Sequence, residues 1–160
     1  MDLELEWTEC LGVGIAALDA DHQVLFGSYN HLIETLTRQL GRRGFACAFG
    51  HFLNHADHHF IHEELVMRNI GYPEYSAHKA AHDRLRTDAR DFAVNVAGVF
   101  TRSDLPLFAR YMRHWLVNHI VVHDQKIGAF VERGWHLPSL ALPECQRGSS
   151  CRQQPSFYVC

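Results

Sequence analysis

The chain has 160 residues, 47% of them hydrophobic and 21% charged, with a formal net charge of −3. That is the profile of one soluble globular domain able to bury a core. It argues against nucleic acid or an anionic membrane as the main partner, because both favour basic surfaces. No apolar run reaches membrane-spanning length, and the acidic start MDLELEWTEC does not read as a secretory leader, so a cytoplasmic protein is expected. The five cysteines (Cys10, Cys47, Cys145, Cys151, Cys160) form no CxxC pair, and their odd number predicts free thiols. Thirteen histidines are the compositional outlier.

Residues 1–18, with Trp7, Gly12 and Gly14, read as an extended N-terminal arm whose aromatic could cover one end of the core. A first helix is predicted from about Asp19, its N-cap, to Gln39. His22, Leu25, Tyr29, Leu32 and Leu36 repeat there at steps of three and four, and the GRRG segment from Gly41 stops the run. A second helix is predicted over about 45–69, with an inward stripe of Phe49, Phe52, Ala56, His59, Glu63, Val66 and Ile70, and Gly71 as its C-terminal cap. The third starts near Pro73 or Glu74, where proline suits a first turn, and carries His78, His82, Leu85, Ala89, Phe92, Val96 and Val99 inward. The fourth follows Ser103 and runs to Gly134, with Phe108, Met112, Trp115 and His119 on its inner face. Short connections force neighbours to be antiparallel. The fold is therefore all-α, an up-down-up-down four-helix bundle over residues 1–136. Residues 137–160, rich in proline and cysteine, form an irregular C-terminal extension that could serve a protein partner.

Titratable groups on an inner stripe cost several kcal/mol unless they are paired or ligating. Here every helix contributes some: His22, then His59 and Glu63, then His78 and His82, then His119, with Asp124 one turn on. Five imidazoles and two carboxylates are too many for one tetrahedral zinc and suit two metals of higher coordination that share bridging carboxylates. Asp124 fits least well. Five residues past His119 it lies about 140° around a regular helix, where His123 would align better, and a locally widened π turn would reconcile the two. His51, His55, His58 and His62 also stand three or four residues apart, a spacing that by itself would allow a second, surface metal patch. With His51 and His55 on the His59–Glu63 row, His58 and His62 on a flanking face, and no carboxylate at a matching position, they read as solvated or supporting groups.

Trp7 with GVGIAALDADH ending at His22, HFIHEELVM from His59, YPEYSAHKAAH from Tyr72 and WLVNHIVVHD from Trp115 to Asp124 together resemble the hemerythrins, in particular their single-domain bacterial type, over roughly residues 7–130. The resemblance implies a non-haem di-iron centre with a bridging oxo or hydroxo group that binds O2 reversibly, for storage, delivery or sensing. It implies that His78, His82 and His119 hold one iron, His22 and His59 the other, and that Glu63 and Asp124 bridge them. It places Trp115, Leu116 and Ile120 around the O2 pocket, with Phe60 beside His59 as a further wall. No catalytic residue is expected under this reading. A di-iron peroxidase or oxidase, or a signalling module that reports O2 or iron, would need the same ligands.

Overall fold

The computed structural model describes residues 3–38, 42–96 and 100–134. Four rods are present: α1 (Ala16–Arg38), α2 (Arg42–Asn69), α3 (Tyr75–Val96) and a composite fourth rod. The fourth consists of α4 (Leu105–His119), a π-helical turn (Ile120–Asp124) and α5 (Gln125–Glu132). The expected helices are all there. The 137–160 extension and Val99 lie outside the described residues, so the expectations placed on them are not addressed by the fold.

Two apolar blocks hold the rods together, and a polar layer separates them. One contains Leu25, Tyr29, Leu32 and Leu36 of α1, Phe45, Phe49 and Phe52 of α2, Ala89 of α3, and Phe108, Met112 and Trp115 of α4. The other contains Leu18 of α1, Val66 and Met67 of α2, Ile70 and Tyr72 of the turn that follows it, and Ile127 of α5. Each rod therefore crosses from one block through the histidine layer into the other, in alternating directions. That alternation is the up-down-up-down topology. Burying one large apolar side chain contributes about 2 kcal/mol. At the far end of the larger block, Phe45, Phe100 and Phe108 meet at ring separations of 4.9–5.7 Å, binding α2, the α3–α4 connection and α4.

The ends of the rods follow local chemistry. Gly71 takes φ 63°, a left-handed conformation costly for other residues. Tyr72 N–H then donates to Met67 O at 2.9 Å and Gly71 N–H to Arg68 O at 3.2 Å, the Schellman closure. Before α4, Thr101 and Asp104 form a reciprocal capping box, and Pro106 occupies the first turn. At the start of α1 the expectation needs correction. The helix begins at Ala16, so Asp19 sits within the first turn instead of capping it. Gly14, at φ 76°, turns the chain early, and Asp19 Oδ1 accepts the Val13 N–H at 2.7 Å, tying the incoming loop down from inside the helix.

The arm also lies differently from expectation. It runs along the bundle and does not cap an end: Leu5 exchanges two hydrogen bonds with the Asn30 side chain at 2.7 and 2.8 Å, and Tyr29 Oη lies between Leu3 O and Ala109 O. This register lays Trp7 against Phe26 and over His22. The cysteines need a second correction. Cys10 is a free, exposed thiol, but Cys47 is disulfide-bonded; an odd total leaves one thiol over without preventing the others from pairing.

The arm meets α5 at Gly128, where a Cβ would stand 1.7 Å from Val13 O. Only a hydrogen fits. Gly128→Ala should therefore lower stability by about 2 kcal/mol or more, read as a drop in urea midpoint, because the blocking atom is backbone. An unchanged midpoint would mean that the arm does not pack there.

Candidate metal centre

The polar layer is completely enclosed. His22, Glu63, His82 and Asp124 are 0% exposed, and His59, His78 and His119 are at most 5% exposed. Two overlapping groups of ligand atoms result. Glu63, His78, His82, His119 and Asp124 form one; His22, His59, Glu63 and Asp124 form the other; within each, the atoms lie within 4.8 Å of one another. Both carboxylates belong to both groups, as bridges would. Every residue expected in the centre is brought to it.

Asp124 arrives through the π turn. The Gln125 N–H reaches back five residues to Ile120 O, so the fifth residue after His119, and not the fourth, returns to the inner face. Asp124 is thereby buried, while the partly exposed His123 stacks outside on His119 at 5.0 Å. The aspartate takes the inward position that a regular helix would have given to the histidine.

The layer's atoms converge on common points more than they satisfy one another. Asp124 Oδ1 lies 3.1 Å from His119 Nε2 and 3.2 Å from His78 Nε2, and Asp124 Oδ2 lies 3.2 Å from His22 Nε2. Glu63 Oε2 lies 3.1 Å from His78 Nε2 and 3.0 Å from His82 Nε2. Even so, both Asp124 oxygens, Glu63 Oε1, His119 Nε2 and His22 Nε2 are buried without an acceptable hydrogen bond. Buried polar atoms left unpaired are costly, and acceptors aimed at shared points are the arrangement that cations satisfy. The donor set, imidazole with carboxylate, suits iron, manganese or zinc. The residues fit a pair of metal ions.

Charges in the layer are tightly linked. Burial opposes ionisation of Asp124, but His119, His22 and His78 outweigh it and hold the carboxyl well below its ordinary range. Glu63 is also pushed up by burial and by Asp124, and is brought below its usual value by His78 and His82. Burial lowers His78, yet Asp124 and Glu63 raise it to about 9. For His82 burial wins, and its pKa falls despite Glu63.

Four supporting groups leave no periodic trace in the sequence: Glu64, Arg86, Asp57 and Asp21. Glu64, 7% exposed, accepts from His82 Nδ1 at 3.1 Å, which fixes the tautomer that turns Nε2 inward. Arg86 holds Glu64 in turn, Nη1 to Oε1 at 3.1 Å, and donates to Asp57 at 2.9 Å. Asp21 Oδ2 stands 4.0 Å from His59 Nδ1. Glu64 adjoins a ligand and lies four residues from Arg68, so it reads as a surface ion-pair partner; only the α2–α3 contact reveals its role.

The residues expected as pocket walls are all buried, and Phe60 borders the layer. Phe60, Leu116 and Ile120 are buried, and Trp115 is 7% exposed. Phe60 stacks on His82 with ring centres 4.1 Å apart and approaches Trp115 at 6.0 Å.

A family model, the hemerythrin HHE cation-binding domain, matches residues 13–131. The chain belongs to the hemerythrin family. A bacteriohemerythrin of Methylococcus capsulatus is 28% identical over 127 residues, 78% of this chain and 94% of that protein. A hemerythrin-like protein of Naegleria gruberi is 28% identical over 120 residues, 75% of this chain and 87% of its own. The crystal structure of a wild-type hemerythrin superposes with a TM-score of 0.64 at 26% identity, covering 78% of this chain and 95% of that one. As in this family, the His/Glu/Asp cluster forms a di-iron, O2-binding site.

A metal must displace the proton that His78 carries below about pH 9 in the metal-free protein. Apparent zinc affinity should thus rise as pH goes from 6 towards 9 and level off above, with protons released in calorimetry. The same raised pKa stabilises the metal-free fold fully below 6.5, the ordinary histidine value, and that contribution disappears as pH climbs through about 9. Flat affinity across this window would contradict the coupling. Glu64→Gln should weaken metal retention against a chelator by about 10-fold to 100-fold while leaving helicity intact.

Proposed function

We propose that His78, His82 and His119 hold one iron and His22 and His59 the other, with Glu63 and Asp124 between them, and that the centre binds O2 reversibly without turnover. The carrying observation is that the two ligand groups share both carboxylates and differ by one histidine: three imidazoles in one group, two in the other. The group with fewer protein ligands is the one with room for an exogenous molecule. Two ferrous ions would supply the electrons that O2 draws on when bound, and return of those electrons on release leaves no net reaction.

The chain's own residues support such reversibility on physical grounds. Phe60, Trp115, Leu116 and Ile120 keep water and protons away from the bound molecule, since a wet site would strip it off in reduced form. Trp7 covers His22 from the arm side, at a ring separation of 6.1 Å. Glu64 and Arg86 hold His82 in one orientation from behind. Among the described residues, the four lining side chains include no carboxylic acid that could deliver protons, which favours carriage over peroxide or O2 consumption.

Among the described residues, no helix is long and apolar enough to cross a membrane. Anaerobically iron-loaded protein should develop charge-transfer absorption in air and lose it under argon through repeated cycles. Leu116→Ala, which thins the lining, should shorten the lifetime of the oxygenated bands by about tenfold or more with iron content unchanged. Rapid irreversible bleaching in the wild type, with sustained turnover of peroxide and a reductant, would favour the enzyme instead.

A further inference from the structure

His55, His58 and His62 take no part in the buried centre. His58 and His62 lie four residues apart on the face flanking the His59 row, and His55 lies one turn back at its edge; His55 and His58 are exposed and His62 is half-buried. Read along α2 alone they lack a carboxylate. The fold supplies one from α1: Asp21, which with Val24, His59 and the three histidines borders a hollow of about 230 Å³. Asp21 Oδ2 is in direct contact with His62 Nδ1.

An ion pair pinning α1 to α2 would need one histidine. Three imidazoles within two helical turns, an anionic oxygen facing them and an open hollow between exceed that need. We propose that Asp21, His58 and His62, with His55 as a fourth ligand, form a surface site for one divalent transition-metal ion of the imidazole-preferring class, such as Zn²⁺, distinct from the buried pair. Histidine pairs four residues apart on one helix face can chelate a single ion, and three or four nitrogen and oxygen ligands complete a zinc shell. His62 Nδ1 and Asp21 Oδ2 already meet. The exposed His55 and His58 join them by changing rotamer, a small cost for side chains in solvent.

Asp21 also faces the buried ligand His59, so the test is a difference between chains that keep Asp21 and vary only the exposed imidazoles. Full-length protein, metal-free and iron-loaded, is dialysed against buffered Zn²⁺ and its metals are counted by elemental analysis. Wild type should hold one more zinc per chain than His58→Ala/His62→Ala in both states, and Asp21→Asn should weaken that ion's binding by about tenfold. His31→Ala/His114→Ala, altering exposed histidines away from the hollow, should retain the extra zinc. Equal zinc content in wild type and His58→Ala/His62→Ala overturns the proposal, as does an equal loss in the His31→Ala/His114→Ala control. If the alanine pair loses helicity by circular dichroism, His58→Gln/His62→Gln decides in its place. A failure of the buried centre to hold iron would change both totals and leave the difference untouched.

Discussion

Five imidazoles and two carboxylates are enclosed in a layer where several of their inward atoms have no adequate hydrogen-bonding partner. The rest of the molecule is arranged around that constraint. An apolar block stands on each side of the layer, and every rod must cross it to connect them. Without cations the atoms left unpaired oppose folding, because they lose their hydration, and the pairing of His78 with Glu63 offsets only part of that cost. With cations the same atoms become the strongest crosslink between the four rods, and metal binding becomes folding free energy. Site and fold are therefore one energetic unit.

Specific backbone features keep the layer in register. The π turn exists to bring Asp124 inward, and α5 behind it is held by the close approach of Gly128 to Val13 and by Gln125 donating to Cys10 O at 2.8 Å. The arm that makes these contacts also carries Trp7 to His22. A segment with no helix of appreciable length thus fixes the position of one ligand helix relative to another. On the opposite side, Glu64, Arg86 and Asp57 form a chain from His82 to the surface, so that one ligand ring is oriented by α2 and α3 together.

Much of this was legible in the sequence because it is periodic. The stripes through His22, through His59 and Glu63, and through His78 and His82 each place ligands by helical spacing alone, and Gly71 announces its own cap. The poor fit of Asp124 to a regular helix called for a π turn, and the turn is there. What the sequence did not disclose depends on contacts between elements. Asp21 and Glu64 each adjoin a ligand, and their partners, His62 and His82, lie on other helices. The start of α1 at Ala16 follows from a glycine conformation and a side-chain bond to Val13, neither of which leaves a periodic trace. The path of Trp7 is set by Asn30 and Tyr29, which read in sequence as ordinary helix residues.

The most direct test of the central claim is diffraction from crystals of iron-loaded protein, collected on both sides of the iron absorption edge. The account predicts two iron peaks within the layer, one bordered by His78, His82 and His119, the other by His22 and His59, with Glu63 and Asp124 touching both. A single peak, or peaks away from this layer, would contradict it.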